Sequence, residues 1–138
     1  MKIRALAWGA VAASALLSID LAWAAPSGSV MPAFSEPIPN IPGKSLIAVV
    51  VTYPPGGKTP PHHHAGSAFV TGYVLSGAIR SQVDGGKVQV FQAEESFSES
   101  PGARHDVSEN ASETEPAKLL AIFVVDSTDT ALTTMDAK

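Results

Sequence analysis

The chain has 138 residues, one domain's worth, of which 45% are hydrophobic and 16% charged. A formal charge of −4, with no Lys/Arg cluster in the body of the chain, leaves nucleic acid and other polyanions without an electrostatic footprint. With no Cys there is no disulfide, no thiolate metal ligand and no cysteine nucleophile, so stability has to come from packing.

Residues 1–24 read as a secretory signal peptide. Lys2 and Arg4 give a positive start, an apolar run follows from Ala5 to Leu17, and Ala22-Trp23-Ala24 sets small residues where a signal peptidase reads them. A cut after Ala25 would leave Pro26 beside it, so the expected cut lies between Ala24 and Ala25. The run is too short to span a bilayer comfortably, which weighs against an uncleaved anchor. The expectation is a periplasmic or secreted protein, free of the membrane after cleavage.

Residues 25–44 carry Pro26, Pro32, Pro37, Pro39 and Pro42, a density that blocks helix and central strand alike. An extended arm is expected, either frayed or lying along the domain edge. Val30, Met31, Phe34, Ile38 and Ile41 are an odd content for a solvated tail. The arm is therefore expected to pack on a face of the folded body, its own or a symmetry-related partner's, in a homodimer.

The body, residues 45–126, reads as short strands cut by turns. Leu46 to Tyr53 is a β-branched run stopped by Pro54-Pro55-Gly56-Gly57. Phe69 to Ser76 is a strand interrupted by Gly72, which suggests a bulge. In Ala78 to Asp84, Ile79, Ser81 and Val83 share one face, with Arg80 and Gln82 on the other. Asp84-Gly85-Gly86 signals a hairpin, Pro101-Gly102 another turn, and Ala117 to Val125 is the last strong apolar run. Phe69, Tyr73, Phe91, Phe97 and Phe123 are expected to fill the interior. Residues 127–138 form a polar tail, expected to be loose. No stretch of the body shows capped helical periodicity, so an all-β sandwich or small barrel of six to eight antiparallel strands is expected.

Three of the four histidines are consecutive. Strand alternation points His62 and His64 the same way and His63 the other, and two imidazoles one residue apart on one face can converge on an ion. Pro60 and Pro61 stiffen the approach. Taken alone, the pair is weak, and a surface cluster is its bland rival.

The surroundings of these histidines resemble the two motifs of the cupin superfamily. Its first motif runs Gly, five residues, His-x-His, three or four residues, Glu, six residues, Gly; Gly56, His62 and His64 fall into that frame, and a strand ending Tyr73-Val74-Leu75-Ser76-Gly77 follows them. The second runs Gly, five residues, Pro-x-Gly, two residues, His, three residues, Asn. Gly102 and His105 match it, while Glu94 and Ser100 replace the expected Gly and Pro, and Asn110 comes one residue late. The resemblance covers roughly Leu46 to Asp126 and implies a single-domain antiparallel cupin β-barrel, a double-stranded β-helix or jelly roll. It also implies a divalent transition metal (iron, zinc, manganese, nickel or copper) held by His62, His64 and His105.

The family's acidic ligand should fall near Ala68, Phe69 or Val70, none of which can bind a metal. Glu99, just before the Ser100-Pro101-Gly102 turn, is the one nearby carboxylate that could swing in as fourth ligand or as a base, with a solvated surface position as its alternative. A three-histidine face keeps open positions for water or substrate. The resemblance thus implies a metal-dependent dioxygenase or related lyase or isomerase acting on a small dicarbonyl or phenolic molecule. A non-catalytic module binding a small ligand, or a barrel that holds metal for stability alone, remain the alternatives.

Overall fold

A computed structural model describes residues 27–137; the expected signal peptide lies outside the described residues. In chain order the strands are β1 (Ser29–Pro37), β2 (Lys44–Tyr53), β3 (Lys58–Thr59), β4 (His62–His64), β5 (Phe69–Ser76) and β6 (Ala78–Val83). They continue as β7 (Gln89–Gln92), β8 (Ser96–Glu99), β9 (Arg104–Asn110), β10 (Ala117–Asp126) and β11 (Thr133–Met135). No helix occurs among the described residues. Every ladder between named strands is antiparallel. The strands form two sheets, in the orders β1-β2-β10-β5-β8 and β11-β4-β9-β6-β7, with β3 paired to β9. The eleven described strands exceed the expected six to eight because β3, β4 and β11 are only two or three residues long and the Pro-rich segment contributes β1.

The β-branched run of β2 pairs with the apolar run of β10 from Tyr53↔Ala117 to Lys44↔Asp126. Alternate side chains of the pair turn inward. One core cluster forms around Tyr53, Val74, Ile79 and Leu119, and a second around Ala68, Val70, Phe123 and Val125. At about 25 cal/mol per Å² of apolar surface removed from water, these clusters are the main support of a chain without disulfides.

One expectation left open is decided by the structure and three others resolve differently. The Pro-rich arm lies along the domain edge, paired to β2 from Ser29↔Thr52 to Pro37↔Ser45 with an irregularity between Pro32 and Phe34. Proline is tolerated there because an edge strand has a ladder on one side only. The tail is not loose, since β11 pairs with β4 and so lies over the histidine strand. Gly72 keeps regular register, opposite Ala121 and Phe97, and the bulge falls at Leu75 instead. A Cβ at Gly72 would meet the Phe97 ring at 2.5 Å, so the glycine makes room for that ring rather than bending the strand. Lastly, Phe69 and Tyr73 do not fill the interior and are 45% and 37% exposed. In β5, Val70, Gly72 and Val74 take the inward positions, and in a strand apolar on both faces periodicity alone cannot choose between them.

Candidate metal centre

The second sheet brings the histidines together through two ladders. In β4, His62 and His64 are buried and His63 is exposed, as alternation requires. Across the β4–β9 ladder His62 pairs directly with His105, and antiparallel partners share a face. The ring centroids of His62 lie 4.9 Å from His64 and 5.1 Å from His105, with 6.2 Å between His64 and His105. One ligand atom from each of the three rings lies within 4.8 Å of the others. Nitrogens bound at about 2.0–2.1 Å to one ion are at most about 4.2 Å apart, so small ring rotations close the set.

The outer nitrogens are tied to oxygens. Nδ1 of His62 donates to the carbonyl of Pro60 at 2.9 Å. Nδ1 of His64 donates to the carbonyl of Leu132 at 3.3 Å and lies 3.3 Å from Oγ1 of Thr133. Carbonyls only accept, so both neutral rings keep the Nε2 lone pair for the interior. His105 meets the Ser81 hydroxyl through Nε2 at 2.8 Å and turns Nδ1 inward. Burial lowers the pKa of His62, which favours the neutral, ligating form. His63 points away, its Nδ1 held 2.5 Å from Asp136, so it is no part of the centre.

Glu99 belongs to the same cluster and does not take its solvated alternative. It is 3% exposed, with Oε1 at 3.3 Å from Nδ1 of His105 and Oε2 at 3.1 Å from Nε2 of His64. Burial pushes its pKa up, but the His105 and His64 rings facing it outweigh that and hold it at about 2. At neutral pH it is an anion, too weakly basic to serve well as a general base.

These groups line one side of a cavity of about 190 Å³ whose other walls are apolar, Val49, Val51, Leu119 and Phe123 among them. Tyr53, buried at the same cavity, bonds through its hydroxyl to Thr59 at 2.7 Å and Ser108 at 2.8 Å. Burial raises its pKa, so the phenol stays protonated. Tyr53, Ser81, Ser108 and Thr133 were missed from sequence. Only Ser81 left a signal, its place on the inward face of Ile79. Arg80, on the opposite face, pairs at 2.6 Å with Glu109 of the neighbouring β9. Asn110 is structural: it is buried and donates to the carbonyls of Pro54 and Glu115.

The cupin domain family matches residues 49–123, more than half of the chain, spanning both histidine strands. The chain belongs to the cupin family. Among solved structures it is similar to a Klebsiella pneumoniae protein with a double-stranded β-helix domain, with a TM-score of 0.62 and 18% identity over 81% of this chain and 86% of that one. The cupin domain of Cnp3 from Schizosaccharomyces pombe gives 0.57 and 19%, covering 71% of this chain and 64% of that one. The DMSP lyase DddQ from Ruegeria pomeroyi gives 0.55 and 21%, covering 65% and 42%. Likeness at such identities is likeness of fold. None of the curated proteins matches the sequence.

The donor set suits a divalent transition metal: three neutral imidazoles with inward lone pairs, fixed outer nitrogens and an anion beside them.

Proposed function

We propose that this cupin is a metal-dependent enzyme acting on a small, largely apolar organic molecule with adjacent oxygen atoms, of the dicarbonyl or phenolic kind. The observation that carries the reading is the placement of His62, His64 and His105 on one side of a small apolar cavity. Bound there, a divalent transition metal supplies Lewis acidity and open positions for substrate oxygens. The chain's own residues do the rest. The outer hydrogen bonds fix the three rings, and the apolar walls exclude water and orient the substrate's carbon skeleton. The Tyr53, Thr59 and Ser108 hydroxyls offer the polar contacts on an otherwise dry wall. A cavity of about 190 Å³ favours molecules smaller than the usual drug-sized ligand. The fold alone would not license this, since one fold hosts many activities.

The reading includes export through residues 1–24 and a two-fold dimer. Exposed Met31, Phe34, Phe69 and Tyr73 on the sheet that holds β1 and β5 support the dimer. Sizing the protein with and without residues 25–42 tests it: a monomer in both forms removes the dimer.

The functional test starts from metal analysis of protein purified from its native compartment. It continues with spectroscopy of that metal as dicarbonyl and phenolic compounds are added under oxygen and without it. A ligand-dependent spectrum with product formation is expected. Tight binding without turnover would instead make the protein a non-catalytic ligand-binding module.

A further inference from the structure

We infer that Glu99 is a fourth protein ligand of the metal centre, a carboxylate delivered across the β5–β8 ladder from the position facing Val70. This deepens the three-imidazole reading above and rests on it.

The case begins with burial. A carboxylate that is 3% exposed needs a positive partner, and neither Lys nor Arg reaches it: the titratable groups against it are His64 and His105. Yet His64 has committed its Nδ1 proton to the Leu132 carbonyl, so a neutral His64 turns a lone pair toward Glu99. Two acceptors then face each other at 3.1 Å, and Oε2 of Glu99 accepts no hydrogen bond at all. When Ser81 accepts from Nε2 of His105, the contact of 3.3 Å between His105 Nδ1 and Oε1 has the same character. Buried acceptors pressed together require something positive between them. In the metal-free protein an extra proton on a ring plays that part and holds Glu99 as an anion; a shared metal ion takes the place of that proton and satisfies the carboxylate and all three rings together. It also lets the carboxylate offset half the ion's double charge in an apolar cavity.

The backbone explains how a carboxylate comes to be there. Glu99 pairs with Val70 across the ladder, and cross-strand partners point to the same face with Cβ atoms about 4.5–5.5 Å apart. Val70 is the inward residue among Ala68, Phe69 and Val70 that lines the cavity, while Phe69 is exposed. The first sheet thus supplies from β8 the carboxylate that β5 does not carry.

The test uses the full chain freed of metal by chelator and titrated with Co(II), whose absorption spectrum reports its coordination. Wild-type protein is expected to bind one ion and to shift a carboxylate stretching band in the infrared as it does so. Glu99→Gln should weaken binding by more than about tenfold, change the Co(II) spectrum and lose the infrared shift. Moving the carboxylate one strand over, Val70→Glu with Glu99→Val, should recover most of the lost affinity; a folded double variant that recovers none counts against the cross-strand account. Should Glu99→Gln fail to fold, the wild-type infrared difference decides alone. Unchanged affinity and spectrum in folded Glu99→Gln, or no carboxylate shift in wild type, overturns the inference while leaving three imidazoles in place. Wild-type protein that binds no Co(II) overturns the three-imidazole reading itself.

Discussion

His62 stands directly across the β4–β9 ladder from His105, and their rings lie 5.1 Å apart. That one pairing joins two segments far apart in sequence, and it makes the site a product of strand register. Because His64 shares the face of His62, a third imidazole arrives without a further loop.

Replacement of His64 by Ala should therefore abolish most metal binding, whereas replacement of His63 should leave it near the wild-type value. His63 is exposed and bonded to Asp136 outside the cavity. Losing a ligand should exceed the about 10–100-fold that loss of a supporting residue costs. Isothermal titration with Zn(II) checks both. Equal losses in the two variants would mean that the face assignment is wrong.

What sequence could show of this site follows from the range of each interaction. The pairing of His62 with His64 is local and legible in their spacing, and His105 is tied to them by the second cupin motif. Glu99 sits in Ser96-Phe97-Ser98-Glu99, where a polar alternation reads equally well as a solvated strand. Its burial comes from the pairing with β5, which local pattern does not encode. The proline-rich arm was ambiguous between fraying and edge pairing for the same reason, since only the register of Ser29 to Pro37 against β2 decides it. Phe69 and Tyr73 misled because aromatic residues usually mark the inside, and here the room left by Gly72 for Phe97 fixes the opposite parity.

Truncation after Ala131 should weaken metal binding without unfolding the barrel. It removes the Leu132 carbonyl and Thr133 hydroxyl that hold Nδ1 of His64, and the β11 ladder that covers β4. The two large core clusters stay, apart from a partly buried Leu132 at the rim of one. A loss of about 10–100-fold in Zn(II) affinity is expected, with far-UV circular dichroism still of β type. Full affinity in the truncated protein would show that His64 needs no outer partner.

Gly72→Ala should destabilise the protein, although alanine in place of a strand glycine ordinarily helps. The new Cβ would lie 2.5 Å from the Phe97 ring, which is itself packed 4.9 Å from Phe91 and 5.8 Å from His105. Overpacking of this kind costs about 1–3 kcal/mol. Urea unfolding measures it, and a variant as stable as wild type would mean that the ring has somewhere else to go.

The metal-free protein should lose stability as pH falls, in two stages with the same sign. His62 has a folded pKa below its ordinary 6.5 because of burial, so below that pH the unfolded chain takes up a proton that the folded chain declines. Stability is lost from there downward until the folded ring protonates too. Glu99 is held at about 2 against an ordinary 4.5. Its contribution is complete above the unfolded value and disappears as pH falls from about 4.5 toward 2, a total of about 3 kcal/mol. Urea midpoints taken at intervals between neutral pH and pH 2 follow both stages. Glu99→Gln should flatten the lower stage while leaving the upper one in place. A wild-type curve without slope in the lower stage would mean that the His64 and His105 rings do not favour the Glu99 anion in the absence of metal.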